Sequence, residues 1–290
     1  MKRVFINLIA AVAFCFILFI PFSVSLHKDH NDPDFNSTFE SENAFTDSDF
    51  EDNEKNYAGS VPIEESEITE QSNTEENEPL FNKRIIGVGD SLMRGDKLLA
   101  SQTWLGLIES EYGAVTFNYG KNGNPLANVS SSSVTGMVGR IDGIYEEVPQ
   151  ADYFVLIGGA NDKRLNVPIG EDDSTDIETF CGAINSIIDK VREYWPEAHI
   201  IFMTNYDRYK DNNSLGFGDI DYVEAMKRVC EKKKVFCYDN FHDSGVDFQD
   251  PDFISWADEG IYLGGSSNFH FSPEGYRWLL PKYKLLLEEN

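Results

Sequence analysis

The apolar positions from residue 83 onward fall into short runs separated by longer amphipathic segments. The run 153–157 (YFVLI) is apolar throughout, which is typical of a strand buried on both faces of a sheet. In the segment 177–195, Phe180, Ile184, Ile187 and Val191 recur at helical spacing. This alternation predicts an α/β fold in which helices cover both faces of a parallel sheet. The predicted strands are 84–88, 115–118, 153–157, 200–204 and 235–238, and the predicted helices are 98–112, 177–195, 222–233 and 273–289.

Two of the predicted helices carry further signals. Ser272 followed by Pro273 is typical of a helix start, because a serine side chain caps the first turn and proline fits the first helical position. In the helix 98–112, Leu99, Trp104 and Leu107 recur at helical spacing, which predicts one apolar face.

The first 26 residues predict export or anchoring rather than a core helix. Lys2 and Arg3 precede the stretch 4–20, which is apolar except for Asn7. The segment fits a retained signal-anchor helix, and the small residues of 23–25 (SVS) also fit a cleaved signal peptide. Under the positive-inside rule, both alternatives place the rest of the chain outside the cytoplasm, either secreted or associated with the membrane.

An acidic linker is predicted over 27–82, followed by a folded domain over 83–290. Residues 27–80 hold 17 Asp and Glu against two Lys, a composition typical of disordered chain. The whole protein of 290 residues carries a net charge of −26. Such an excess of acid argues against nucleic acid as a partner, because binding to phosphates needs clustered Lys and Arg.

Cysteines are too few for a disulfide scaffold, with four in the whole chain. Cys230 and Cys237 are seven residues apart across a predicted helix-to-strand turn. Either a disulfide between them or a pair of buried thiols is compatible with that placement, and the thiols are the favoured interpretation.

Candidate chemistry lies in the turns that follow the predicted strands, where open α/β sheets place their ligand sites. Ser91 follows the first strand, Gly123 lies in the loop after the second, and Asn161 follows the third. His270 comes just before the last helix. Taken singly, each has a structural alternative: Ser91 or Asn161 as a cap, Gly123 as a turn residue, and His270 as a packed histidine.

The order and spacing of these residues resemble the SGNH (GDSL) hydrolase family. The resemblance runs through Gly89-Asp90-Ser91, the glycine at 123, the G-x-N-D motif at 159–162 and His270, and it covers residues 83–290. It implies a three-layer α/β/α, flavodoxin-like fold. It also implies a serine esterase that works without a metal or an organic cofactor.

The resemblance implies a catalytic role for four residues. Ser91 attacks an ester carbonyl, and His270 takes its proton and then returns it to the leaving alcohol. The backbone N–H groups of Ser91 and Gly123, with the side-chain amide of Asn161, hold the oxyanion. Asp90, Trp256 and Tyr262 are candidates for substrate binding.

One position departs from the family pattern, in which an aspartate three residues before the histidine holds its ring. Here that position is Ser267, which is thus a candidate third member. Three hypotheses follow. Ser267 or a backbone carbonyl supports a Ser–His dyad; Asp258 or Glu259 supplies a substitute carboxylate; or the domain binds glycans with little or no turnover.

These features together predict an extracytoplasmic esterase whose substrate is a small-molecule or glycan ester. Removal of O-acetyl groups from a polysaccharide is the favoured reaction, on family habit and predicted location. Acyl transfer to a sugar hydroxyl uses the same serine and histidine and is the alternative reaction. A catalytically weak glycan-binding module is the alternative of another class.

Overall fold

Five parallel strands form one sheet at the centre of the fold. The computed structural model describes residues 78–250 and 269–290. Neighbouring strands lie in the order β2-β1-β3-β4-β5, and every pairing is parallel. This is the flavodoxin-like order that the sequence analysis expected. The strands are β1 Arg84–Gly89, β2 Val115–Gly120, β3 Tyr153–Gly158, β4 His199–Thr204 and β5 Phe236–Tyr238.

Helices cover both faces of the sheet, and alternate residues of each central strand point into one layer or the other. Phe154 and Leu156 of β3 join one apolar cluster, whereas Val155 and Ile157 join the other. The three-layer α/β/α fold is therefore confirmed. The helices are α1 Ser91–Arg94, α2 Trp104–Tyr112, α3 Ile141–Glu147, α4 Ala160–Arg164, α5 Phe180–Tyr194, α6 Asp219–Lys233, α7 Asn240–Asp243 and α8 Pro273–Glu289.

The N-terminal ends of two helices show how well local signals predict a boundary. Helix α8 begins at Pro273 as expected, and the Ser272 side chain accepts a hydrogen bond from the Gly275 N–H. Helix α2 begins at Trp104, six residues later than predicted, because Thr103 caps it. Leu99 then lies outside the helix and is 70% exposed, so the prediction that it belongs to the apolar face was wrong.

The folded region includes residues that the sequence analysis assigned to the linker. Leu80 is fully buried in the cluster that also contains α8, and Glu78 pairs with Lys284 of α8 at 2.9 Å. The predicted anchor or signal segment (1–26) and the linker up to residue 77 lie outside the described residues. Within 78–250 and 269–290, no helix is long and apolar enough to cross a membrane.

The described cysteines are free thiols. Cys181 and Cys230 are buried, and Cys237 is partly buried. The interpretation of Cys230 and Cys237 as thiols is therefore confirmed. Contact with Cys237 and burial both raise the pKa of the Cys230 thiol, which keeps it protonated.

We expect Leu80→Ala to lower the free energy of unfolding by about 2–5 kcal/mol, because it leaves a cavity in a fully buried site. Leu99→Ala removes the same atoms from a mostly exposed side chain and should change stability by less than about 0.5 kcal/mol. Urea unfolding of the full chain measures both values. Equal effects of the two substitutions would contradict the placement of Leu80 in the core.

Candidate active site

The predicted site residues lie in turns at one edge of the sheet. β1 and β2 end in register at Gly89 and Gly120, and Gly89 also pairs with Ile157 near the end of β3. Because the strands are parallel, the turns that follow them leave the sheet on the same side. His270, ahead of α8, reaches the same edge and contacts Ser91.

Ser91 is the first residue of α1 and follows a tight turn at the end of β1. Only glycine fits at position 89, where an added Cβ would lie 2.5 Å from Met93 Cβ. Asp90 caps α1, since its Oδ1 accepts from the Leu92 N–H at 2.9 Å. As the first helical residue, Ser91 has no partner for its own N–H in the hydrogen-bond ladder of the helix. The turn thus leaves an N–H beside the hydroxyl.

His270 precedes α8 and contacts Ser91 directly. Its Nε2 is 2.8 Å from Ser91 Oγ, a normal hydrogen-bonding distance. Tyr276 of α8 fixes the two elements together, because its hydroxyl donates to the carbonyl of Leu92 at 2.7 Å. Phe271, beside the histidine, is buried in the same cluster as Leu92 and Tyr276. Docking of α8 therefore holds the imidazole against the serine.

Asn161 is held in one orientation by partners at both ends of its amide. Its Nδ2 donates to Asp90 Oδ2 at 3.1 Å, and its Oδ1 accepts from Arg164 Nε at 3.1 Å. An arginine offers only donors, so this contact identifies which end of the amide is the oxygen. The amide nitrogen therefore lies on the side of the turn that carries Ser91, with a second N–H available to an acceptor.

The loop that carries Gly123 is anchored to α4. Gly123 has a φ of +70°, a left-handed conformation that favours glycine, and its carbonyl accepts from Arg164 Nη2 at 3.3 Å. Further along the loop, the N–H groups of Leu126 and Ala127 donate to the two oxygens of Asp162 at 2.9 and 3.0 Å. Asp162 and Arg164 thereby join the loop after β2 to the helix that carries Asn161.

Two buried carboxyl groups support this edge. Burial raises the pKa of Asp162 to about 7, against the opposing effect of its backbone hydrogen bonds. Burial also raises the pKa of Asp90, while the Leu92 N–H and the charges of His270 and Arg208 act in the opposite direction. Both groups are 1% exposed or less, and each satisfies its oxygens within the protein.

The structure brings Ser91 and His270 into contact and links Asn161 and Gly123 through Arg164. The structure corrects the prediction that Asp90 binds substrate. Asp90 is 1% exposed and both its oxygens accept hydrogen bonds, so it holds Leu92 and Asn161 instead of a substrate. The other candidates lie outside the described residues, namely Ser267, Asp258, Glu259, Trp256 and Tyr262.

Asp96 is the acidic residue that the sequence analysis missed. Its Oδ2 lies 3.9 Å from His270 Nδ1, and it follows Ser91 by five residues. The signal in the sequence is weak, because Gly95-Asp96 after a short helix is typical of an ordinary turn. Asp96 becomes a candidate site residue only through its contact with His270, which is distant in the sequence.

A second cluster of potential ligands lies away from the serine. Side-chain atoms of Glu224, Asp239 and His242 come within 4.8 Å of one another. Lys227 Nζ already donates to Asp239 at 2.7 Å and to Glu224 at 3.0 Å. The ammonium group thus supplies the positive charge that these carboxylates need.

Comparison with known proteins identifies the family. Residues 88–278 match the model of the GDSL-like lipase/acylhydrolase family, which spans most of the chain and includes Ser91, Gly123, Asn161 and His270. The chain belongs to this family. It is accordingly a carboxylic ester hydrolase, as the sequence analysis expected. No curated protein sequence matches the chain significantly.

Solved structures share the fold. One is 29% identical, with a TM-score of 0.64 over 73% of this chain and 98% of its own. A protein from Lactobacillus plantarum is 22% identical, with a TM-score of 0.60 over 72% of this chain and 98% of its own. The aryl esterase of M. smegmatis is 13% identical, with a TM-score of 0.50 over 71% and 99%.

We expect Asp162→Ala to lower the free energy of unfolding by about 2–5 kcal/mol, because it leaves two buried N–H groups without an acceptor. Turnover should also fall, since the Gly123 loop loses its anchor. Asp142→Ala is the control: that side chain is 57% exposed in a pair with Lys190, worth less than about 1 kcal/mol. Urea unfolding and ester hydrolysis measure both effects, and matching results for the two variants would contradict the anchoring role.

Proposed function

We propose that this ester hydrolase is an extracytoplasmic esterase that removes O-acetyl groups from a polysaccharide through an acyl-enzyme on Ser91. The observation that carries the proposal is the 2.8 Å contact between Ser91 Oγ and His270 Nε2. A serine hydroxyl is a weak nucleophile by itself and becomes effective when a neighbouring base takes its proton. Here the base is already at hydrogen-bonding distance.

Acylation begins when Ser91 Oγ forms a bond to the ester carbonyl carbon. Its proton passes to His270 Nε2, and the carbonyl π electrons move onto the oxygen. The tetrahedral intermediate then collapses, the bond to the sugar oxygen breaks, and His270 returns the proton to the leaving alcohol. The acetyl group remains on Ser91.

The oxyanion is stabilised by donors that the fold sets in advance. These are the N–H groups of Ser91 and Gly123 and the amide of Asn161. Asn161 is suited to this task because Asp90 and Arg164 fix its orientation before substrate arrives. Loss of one such donor typically lowers kcat by about 10²–10³.

Deacylation repeats the cycle with water as the nucleophile. Water gives a proton to His270 Nε2 as its oxygen attacks the acetyl carbonyl, and Ser91 Oγ leaves with that proton. Acetate is released and the serine is restored. A sugar hydroxyl in place of water would give acyl transfer with the same residues, so the fate of the acetyl group separates the two reactions.

Charge and predicted location support a neutral glycan as the substrate. The chain carries a net charge of −26, which disfavours the approach of anionic esters such as phospholipids. Lys2 and Arg3 ahead of the apolar stretch 4–20 favour a site of action outside the cytoplasm. A neutral O-acetylated polysaccharide meets both conditions.

The assignment of Ser91 is tested with p-nitrophenyl acetate and the full chain. Ser91→Ala should lower kcat by about 10³-fold or more, because the acyl-enzyme can no longer form. Ser110→Ala, which alters an exposed serine on α2, should leave kcat within twofold. Turnover by Ser91→Ala at the wild-type rate would exclude Ser91 as the nucleophile.

The substrate class is tested with a neutral O-acetylated polysaccharide and an anionic one. We expect acetate release from the neutral polymer with a higher kcat/KM, and a difference between the polymers that shrinks as salt is added. Acetate should accumulate even when excess free sugar is present. Acetylated sugar as the main product would favour transfer, and absence of acetate release from either polymer would overturn the polysaccharide proposal.

A further inference from the structure

The imidazole of His270 lies between Ser91 and the carboxylate of Asp96, which follows Ser91 by five residues. Nε2 contacts Ser91 Oγ at 2.8 Å, and on the other side of the ring Nδ1 lies 3.9 Å from Asp96 Oδ2. The second distance is within ion-pair range but too long for a hydrogen bond. Asp96 and His270 side chains are only 13% and 17% exposed, so little water reaches the gap.

Both facing atoms lack a hydrogen-bond partner within 78–250 and 269–290. His270 Nδ1 and Asp96 Oδ2 are each buried, one a ring nitrogen that can carry a proton and the other an acceptor. A buried polar atom left unsatisfied costs about 1–3 kcal/mol. Movement of roughly 1 Å would pair the two, and catalytic hydrogen bonds are often long until substrate is bound.

The backbone and a neighbouring loop hold Asp96 in place. Gly95 and Asp96 both adopt left-handed conformations, with φ of +84° and +47°, and the Asp96 N–H donates to the Ser91 carbonyl at 3.1 Å. Asn122, in the loop after β2, donates from Nδ2 to Asp96 Oδ1 at 3.0 Å. Asn122 therefore holds Oδ1 of Asp96, and Oδ2 faces the histidine.

We propose that Asp96 is the positioning residue for His270, accepting its Nδ1–H and stabilising the imidazolium that forms when Ser91 gives up its proton. The inference rests on the proposed function of Ser91 and His270. The ring then has a fixed tautomer, with Nε2 free to accept the serine proton. Asp96 acts by orienting the ring and by its charge, and no proton passes to it.

This assignment accounts for the serine at position 267. The family pattern implies an aspartate there, and the chain instead carries a carboxylate five residues after the nucleophile. A carboxylate at Asp96 attracts the imidazolium by its charge, which a serine hydroxyl cannot do. The nucleophile and the group that orients its base would then come from the same turn.

Asp96→Asn isolates the oxygen that faces the ring. Asparagine also tolerates the left-handed conformation and keeps an acceptor for Asn122, so the turn and its loop contact are preserved. We expect kcat for p-nitrophenyl acetate to fall by about 10²–10⁴, with KM changed less than threefold. Asp96→Gly, which suits the positive φ, should show the same loss and covers the case in which the asparagine variant unfolds.

The pH profile distinguishes a charge effect from a structural one. Asp96 faces the ring, and the charge of His270 also acts on Asp90 in the turn before α1, on which the charge of Arg208 acts as well. In Asp96→Asn, the acid limb of kcat/KM should move to lower pH, because the imidazolium loses an anionic neighbour. A variant that only loosened the turn would lower activity without moving that limb.

Two further variants decide the outcome. Asp189→Asn, which removes the charge of a surface carboxylate that is 61% exposed on α5, should keep kcat within threefold of wild type. Wild-type kcat and an unmoved acid limb in Asp96→Asn would overturn the proposal. Ser91→Ala separates the two claims: if it retains turnover, the proposed function itself fails, whatever Asp96 does.

Discussion

The contact between Ser91 and His270 joins two segments that are 179 residues apart, and the rest of the site is arranged around it. Two packing constraints bring Ser91 and His270 together. The end of β1 admits only glycine at position 89, which lets α1 begin at once and places the serine at the sheet edge. The apolar side of α8 then packs beside α1, and the Tyr276 hydroxyl ties the two together. Neither constraint involves a catalytic group.

The other side of the site depends on buried hydrogen bonds that link three turns. Asp90 joins the cap of α1 to the amide of Asn161, and Arg164 continues from that amide to the carbonyl of Gly123. Asp162 accepts hydrogen bonds from two backbone N–H groups of the same loop. Each of these polar groups satisfies another, and these hydrogen bonds offset the cost of burying the two carboxyl groups. Loss of one of these hydrogen bonds is therefore expected to shift the positions of the other groups.

The sequence predicted most of the framework because burial on both faces of a parallel sheet makes the inner strands largely apolar, as β3 shows at each of its positions. The same reasoning could not predict that Leu80 is buried and Leu99 exposed, because a single leucine outside a run of apolar residues gives no sign of its burial. The convergence of Ser91, Gly123, Asn161 and His270 on one edge of the sheet was predictable from their order and spacing. Asp96 was not, because its significance comes from a contact across the fold, and Asp90 was misjudged because its motif position says nothing of its burial.

The long separation between Ser91 and His270 also bears on when their contact can form. During synthesis β1 and its turn emerge well before the segment with His270 and α8. Contacts of such high sequence separation form late, after the local elements have closed. A chain not yet extended through α8 would therefore hold Ser91 without its histidine partner, and the contact between them would form only once α8 had docked. The pairing is thus a property of the folded domain as a whole and not of the local turn after β1.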